Sequence, residues 1–296
     1  MMIVHLRLAL VLPFVLVLAT ANDTSAQILH ATGQNVVPVY EGWEPNADGT
    51  FTMVFGYFNR NLNEEPFVPV GPNNVFEPGD PDRGQPTHFY PRRQQFMFRV
   101  PVSKDWGGKE LVWTLISNGR TEKAYGSLLP IWQIGQVVYE QNRSSTLLRS
   151  PYDQVNQPPS VTLLSPPQAT VALPEMLTLT VMVTDDGLPA PRPRQGNGGV
   201  AVSAEPEGPT RQAVVKLDPA WKLGVIWVHH RGPGTVTFDP IRQPIADGRS
   251  GKAVTKASFS EPGAYVLRAY ADDGVLTSSV DVTVMVKPGP PGHAQR

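Results

Sequence analysis

The sequence predicts an all-β protein made of two β-sandwich domains in tandem. Apolar and polar residues alternate along most of the chain, and no long window beyond the N-terminal stretch keeps a 3.6-residue apolar stripe. The 31 prolines and 26 glycines exceed average usage, yet the chain is 41% hydrophobic, which is too apolar for a disordered protein. Many short strands joined by turns account for both observations, and 296 residues suffice for two separate cores.

Residues 1–26 have the features of a signal peptide. Arg7 precedes an apolar run from Leu8 to Ala19, and small residues lead up to Ala26. The run is shorter than the roughly 20 apolar residues that cross a bilayer, and it contains Pro13. We therefore expect cleavage after Ala26, export to a secreted, periplasmic or cell-surface location, and no transmembrane segment in the mature chain.

Charge and cysteine content exclude several classes of site. The chain has 25 basic and 26 acidic residues, so a formal net charge of -1 gives no electrostatic footprint for nucleic acid. The absence of cysteine excludes disulfides, thiolate metal sites and thiol nucleophiles. Packing alone must therefore stabilise the folded chain.

Residues 30–140 form the predicted N-terminal sandwich. Asn118 and Gly119 both tolerate positive φ and predict a type I′ hairpin. The connection 59–93 is dense in Pro, Gly and Asn, and loops of that length are usually functional or disordered. We expect strands at 36–40, 51–58, 95–102, 110–117, 121–128 and 131–139.

Residues 141–160, "QNRSSTLLRSPYDQVNQPPS", lose the alternation and predict an inter-domain linker. The second domain covers 161–287 and is followed by a solvated tail at 288–296. An insertion at 188–221 has the Pro/Arg/Gly composition of a mobile loop. Strands are expected at 161–164, 177–183, 224–229, 235–238, 253–259, 264–271 and 279–286.

Three motifs of the second half, "VTDDGLP", "IWVHHRGPGTVTF" and "ASFSEPGAYVLRAYADDGVL", resemble those of PKD and receptor-for-egg-jelly type Ig-like domains of exported bacterial proteins. The resemblance covers roughly residues 158–287 and implies a fold without a function, because such sandwiches have many unrelated roles. The segments "EGWEPNADGTFTMVFGYFNRN" and "DRGQPTHFYPRRQQFMF" of the first half resemble a recurring region of exported bacterial proteins that has no assigned activity.

An Ig-like sandwich also assigns roles to three residues of the second half. Tyr265 follows Gly263 where a tyrosine corner would close the preceding turn. Trp227 should pack between the sheets, and Leu267 stands where antibody domains have a cysteine. We therefore expect apolar packing in place of the disulfide.

Two Asp-Asp-Gly motifs are the first candidate site. In an Ig-like sandwich they would follow the second and sixth strands, which end at the same side, so Asp185, Asp186, Asp272 and Asp273 could meet and bind Ca²⁺. The alternative is that Asp-Gly forms turns, because Asp bonds the nearby backbone and Gly accepts positive φ. The turn interpretation is favoured, and calcium stays a weak possibility with no cofactor otherwise expected.

Histidines give weaker candidates. Adjacent strand residues point to opposite faces, so His229 and His230 should not share a metal ion; we expect His229 partly buried and His230 exposed. His88 lies in the 59–93 loop among polar residues and could serve a hydrolase, although a hydrogen-bonded loop anchor is favoured. Apolar loop residues are expected to pin the loop to its own sandwich.

The sequence favours an exported, non-catalytic binding or structural module, with an unknown protein or glycan partner at the cell surface. No metalloprotease, nucleophile-elbow, phosphate-loop or dinucleotide motif occurs. One alternative is a carbohydrate-binding accessory protein that uses Trp43 or Tyr90. A second is a hydrolase whose site lies in the 59–93 loop.

Overall fold

The computed structural model describes residues 30–143, 156–188 and 222–289. These residues form an almost entirely β structure, which confirms the predicted fold class. The expected signal peptide, most of the linker, most of the 188–221 insertion and most of the tail lie outside the described residues.

The first half is a sandwich of two three-stranded sheets, ordered β1-β2-β4 and β3-β5-β6. Alternate residues of β1 and β5 are buried, as expected for strands with one face on a core. Asn118 and Gly119 have φ angles of 46° and 72°, which confirms the hairpin between β5 and β6. The strands are β1 (Val36–Pro45), β2 (Phe51–Asn59), β3 (Asn74–Glu77), β4 (Arg92–Val102), β5 (Leu111–Ser117) and β6 (Arg120–Gly126).

The strand predicted at 131–139 is wrong. The chain there forms a 3₁₀ turn over Pro130–Trp132 and then α1 (Gln136–Arg143). Ile134 and Tyr139 are buried, whereas Ile131 is 86% exposed, so burial does not alternate as the strand prediction required. The turn crosses β1 at Gly42, where a side chain would place its Cβ 2.3 Å from the carbonyl oxygen of Trp132.

The second half has the strand order of an Ig-like sandwich. One sheet has the order β12-β10-β14-β15-β8, and the other has the order β11-β13-β9-β7. The sequence did not predict the short strands β8 and β12, nor β3 in the first half. The strands are β7 (Ser160–Leu163), β8 (Gln168–Ala172), β9 (Leu177–Thr184), β10 (Gly224–Arg231), β11 (Val236–Asp239), β12 (Arg242–Pro244), β13 (Ser250–Phe259), β14 (Gly263–Asp272) and β15 (Thr277–Lys287).

The core of the second half is packed as the sequence predicted. Trp227 and Leu267 are buried together between the two sheets. The hydroxyl of Tyr265 donates to the carbonyl oxygen of Glu261 at 2.7 Å, which confirms the tyrosine corner. Gly232, with φ of 129°, leaves room for this ring, because a Cβ there would lie 2.3 Å from Tyr265 Cδ1.

Strand β10 is buried on both faces. Val225 and Trp227 point into the second sandwich, whereas Ile226 and Val228 belong to the apolar cluster of the first half. The first half therefore covers the outer face of this sheet. His230, which the sequence predicted to be exposed, is only 2% exposed for the same reason.

Candidate functional site

The first Asp-Asp-Gly motif directly follows β9 and forms turns. Asp185 Oδ2 accepts a hydrogen bond from the backbone N–H of Gly187 at 2.7 Å. Asp186 Oδ1 accepts one from the backbone N–H of Leu188 at 2.8 Å. Partial burial of Asp185 raises its pKa, and the Gly187 bond opposes that rise. Both carboxylates thus have the local bonding that Asp-Gly turns supply.

The second motif, at the end of β14, is more deeply buried. Asp272 Oδ1 accepts from the backbone N–H of Gly274 at 2.7 Å. Asp273 Oδ1 accepts from the backbone N–H groups of Val275 and Leu276, each at 2.7 Å. Burial raises the pKa of Asp273 to about 7, although these backbone bonds oppose the rise. Asp273 is therefore protonated in part of the chains near neutral pH.

The chain entering the second half joins the two motifs. Asn156 Nδ2 donates to Asp273 Oδ2 at 3.0 Å, and the backbone N–H of Gln157 donates to Asp186 Oδ2 at the same distance. We call Asn156 and Gln157 the strap. Within the three described segments, no group of three or more His, Asp or Glu side chains is placed to hold a metal ion.

The 59–93 connection belongs to the core of the first half along much of its length. Phe76 and Phe89 are fully buried, and Phe76 stacks on Trp113 with ring centroids 5.7 Å apart. Asn74 fixes the path of the chain, because its Nδ2 donates to the carbonyl oxygens of Val68 and of Pro86. The loop is therefore ordered by its own sandwich, as its apolar residues predicted.

The last part of this loop contacts the second half. We call this contact the seam; it joins 82–90 and Met97 of the first half to 226–232, Arg268 and Tyr270 of the second. Ile226, Val228 and Tyr270 complete the apolar cluster of the first half. The Tyr270 hydroxyl donates to the carbonyl oxygen of Met97. Apolar packing therefore continues from one half into the other.

A charged pair closes one side of the seam. Arg231 binds Asp82 through two bonds, Nη2 to Oδ1 at 2.6 Å and Nη1 to Oδ2 at 2.9 Å. Its Nε also donates to the carbonyl oxygen of Gln85 at 2.7 Å. Because the planar guanidinium of Arg231 donates to three acceptors, this contact fixes the orientation of the loop relative to β10 as well as the distance between them.

Backbone groups also pair across the seam. The N–H of Thr87 donates to the carbonyl oxygen of His230 at 3.1 Å, and the N–H of Gly232 donates to Thr87 Oγ1 at 3.1 Å. The N–H of His229 donates to the hydroxyl of Tyr90 at 2.8 Å. Each half thus provides partners for buried polar groups of the other.

Three histidines meet at the seam. His88 and His229 stack with ring centroids 4.2 Å apart and planes inclined by 23°. His88 Nε2 lies 2.8 Å from Glu65 Oε2, and His230 Nε2 lies 2.8 Å from the carbonyl oxygen of Gly84. The pairing register of β10 shifts between His229 and Arg231, so the regular alternation of the strand is interrupted there, and both histidines contact the first half.

The aromatic residues proposed for glycan stacking are occupied by other contacts. Trp43 is 8% exposed, and its Nε1 donates to the carbonyl oxygen of Leu129 at 2.9 Å. Tyr90 is half-buried and packs on His88 with centroids 4.8 Å apart. Two features of the sequence indicate the seam: the unbroken apolar run Val225–Val228, and the aromatic and arginine residues of the loop.

No protein-family model matches the chain, and no curated protein matches it. Solved structures do match. The fibronectin(III)-like modules of Clostridium thermocellum CbhA are 13% identical over 88% of this chain and 99% of theirs, with a TM-score of 0.24. The PKD domain of human KIAA0319 is 15% identical over 50% of this chain and 98% of its own, with a TM-score of 0.23. Domains 4 and 5 of the S-layer protein SbsC are 10% identical over 64% of this chain and 68% of theirs, with a TM-score of 0.26. Similarity at this level carries no argument about function.

Proposed function

We propose that this chain is an exported, non-catalytic binding or structural module whose two sandwiches act as one rigid body at the cell surface. The seam is the observation that supports this proposal. Domains within a chain usually move relative to each other unless their interface is extensive and apolar. Here apolar residues, a bidentate ion pair and backbone hydrogen bonds all cross between the halves.

The position of His88 argues for a structural role. A general base must reach the proton that it removes from a substrate. His88 is 4% exposed, and its ring lies against His229, Tyr90 and Glu65. We therefore propose that the 59–93 loop fixes the second half in place. Within the described residues, no helix is long and apolar enough to cross a membrane.

The rigid-body proposal can be tested by distance measurement between two spin labels. The chain has no native cysteine, so Lys123→Cys on β6 and Lys256→Cys on β13 allow one label in each half. Both lysines are exposed and lie outside the seam. We expect a single narrow distance distribution at pH 7.5, whereas a broad distribution in the otherwise unchanged chain would refute the proposal.

A matched pair of variants shows whether the seam is responsible. Val228→Arg places a charge at a fully buried seam position and should broaden the distribution. Val254→Arg makes the same change at a residue of β13 that is 41% exposed, and it should leave the distribution narrow. Hydrolysis of ester, glycan or peptide substrates by the unchanged chain, abolished in His88→Ala, would instead favour a hydrolase.

A further inference from the structure

Histidines are concentrated at the seam. The chain has 6 histidines, and His88, His229 and His230 of these are 4%, 1% and 2% exposed. Each has a buried ring nitrogen without a hydrogen-bond partner among the described residues: Nδ1 of His88, Nδ1 and Nε2 of His229, and Nδ1 of His230. A neutral imidazole tolerates such a site better than an imidazolium, which carries two N–H donors and a positive charge.

Within the described residues, the His229 ring contacts other rings and not a carboxylate that could balance a positive charge. Its ring faces His88 on one side and Tyr265, at a centroid distance of 5.4 Å, on the other. The Glu65 carboxylate lies beyond His88 and is hydrogen-bonded to the His88 ring. That ring also packs on Tyr90. Burial, together with a smaller contribution from His88, lowers the pKa of His229 to about 3. A protonated His229 would thus be a buried cation beside a second imidazole.

His230, the next residue of β10, is buried to a similar degree. Because the Gly84 carbonyl oxygen can only accept, His230 Nε2 carries the hydrogen, and Nδ1 is the unpartnered atom. Burial lowers the pKa of His230 well below its usual value, and positive charge on Arg268 and Arg231 adds to this effect.

The carboxylates near these arginines are already paired. Asp82 binds Arg231, as described above, and Asp281 binds Arg268 through two bonds of 2.6 and 2.8 Å. Neither carboxylate is left to compensate a charge on His230. The titratable and charged groups around the two histidines are thus His88, Tyr90, Tyr265, Arg231 and Arg268. Glu65, Asp82 and Asp281 lie one step further out, paired with His88, Arg231 and Arg268.

We propose that the seam is an acid-sensitive latch, closed at neutral pH and opened by protonation of His229 and His230 in moderately acid solution. Opening separates the two halves, hydrates both rings and leaves each sandwich folded. The inference goes beyond the proposed function, which concerns only the closed state at neutral pH. It assigns the histidines to regulating how the two halves are held together.

The size of the effect follows from linkage. The pKa of His229 is about 3 in the closed seam, and a hydrated histidine in the open state has a pKa of about 6.5. Lowering the pH from 7.5 to 5.0 therefore increases the ratio of open to closed chains about 30-fold. His230 acts in the same direction and increases the shift. At pH 5.0 exposed carboxylates are still ionised, so the Arg231–Asp82 pair is not itself the group that titrates.

Hydrogen–deuterium exchange of seam amides tests the latch directly. The N–H groups of Thr87, His229 and Gly232 donate across the seam, so their protection reports its opening even when the open state is rare. After correction for intrinsic exchange rates, we expect their protection to fall at least 30-fold from pH 7.5 to pH 5.0. Protection of Leu267, within the β10–β14–β15 ladder, should change little.

Matched variants decide whether the histidines are responsible. The double variant His229→Phe/His230→Gln keeps an aromatic ring and a donor for Gly84 but cannot titrate, so its seam protection should be independent of pH. His30→Phe removes an exposed histidine and should behave as the unchanged chain. If the double variant misfolds, as its circular dichroism would show, His229→Phe alone should reduce the pH dependence by the factor of about 30 assigned to His229 and leave the part that His230 contributes.

Three results would overturn the latch. Seam protection could stay constant between the two pH values, it could fall equally in the double variant, or Leu267 could lose protection together with the seam, which would mean global unfolding. Weak seam protection already at pH 7.5 would instead refute the rigid module of the proposed function. The two proposals therefore fail in different ways.

Discussion

Asn156 and Asp273 are joined by a hydrogen bond of 3.0 Å at the entry to the second half. Gln157, the next residue, binds Asp186 of the other Asp-Asp-Gly motif. The two motifs are therefore brought together by the incoming chain. Their carboxylates form turns and hold the strap, and this arrangement leads to the first prediction.

Asp273→Asn should change how stability depends on pH. Because burial raises the folded-state pKa of Asp273 to about 7, the folded chain holds a proton that the unfolded chain releases above about pH 4. This group's contribution to the free energy of unfolding therefore falls as pH rises from about 4 to about 7, by about 4 kcal/mol. We expect Asp273→Asn to match the unchanged chain near pH 4 and to exceed it at pH 8, measured by urea unfolding.

Asp48→Asn is the matched control for that experiment. Asp48 is exposed, and hydrogen bonds from the Thr50 side chain and backbone lower its pKa. Its contribution has the opposite sign, because it is present above the unfolded-state pKa and lost on acidification. Equal pH profiles for the two variants would contradict the assignment to Asp273.

Calcium is expected to leave stability unchanged. The four aspartates accept hydrogen bonds from backbone N–H groups, which occupy oxygens that a Ca²⁺ ion would need. A ligand at about 100 times its Kd would stabilise the folded chain by about 2.7 kcal/mol. Melting in excess calcium and in chelator should give the same Tm; an increase that disappears in Asp186→Ala or Asp273→Ala would establish a calcium site.

Tyr90→Phe should weaken the seam. The change removes the acceptor of the His229 N–H, and leaving a buried donor unpaired costs about 1–3 kcal/mol. Tyr125→Phe removes a hydroxyl from a ring that is 53% exposed, and it should cost less than about 0.5 kcal/mol. Chemical denaturation of both variants gives the comparison, and similar losses would argue against the Tyr90 contact.

Cutting the chain near Asn156 should give two pieces that melt cooperatively. Each half has sheets and an apolar cluster of its own, so each piece retains a core. Each should melt below the intact chain, because separation exposes Ile226, Val228 and Tyr270 to water. Calorimetry checks both statements, and loss of cooperative unfolding in both pieces would place the domain boundary elsewhere.

Local pattern was sufficient to predict most strands and the tyrosine corner. Alternation of apolar and polar residues indicates a strand with one buried face. The spacing of Gly263 and Tyr265 indicates a turn that the tyrosine hydroxyl closes. The helix at 136–143 was not predicted, because over eight residues a mixture of apolar and polar side chains fits the two-residue period of a strand as well as the 3.6-residue period of a helix. Its burial depends on contacts with β1 and β2 that are distant in sequence.

The seam could not be predicted from alternation, because alternation does not say what covers the second face of a sheet. His230 illustrates the point: it directly follows the strand predicted at 224–229 and was expected to be exposed, but it is buried because the covering surface comes from the 59–93 loop. The unbroken apolar run before His229 was the available signal that β10 is buried on both sides.

The shared seam also limits how this protein can diversify by domain shuffling. If one half were joined to a different domain, the hydrogen-bonding pairs across the seam would be separated. The Arg231 guanidinium would lose Asp82, and the Thr87 N–H would lose the His230 carbonyl oxygen. Recombination at the strap would separate Asn156 from whatever precedes it, but it would also expose the outer face of β10. We therefore expect recombination to keep the two sandwiches together, although each has the fold of an independent domain.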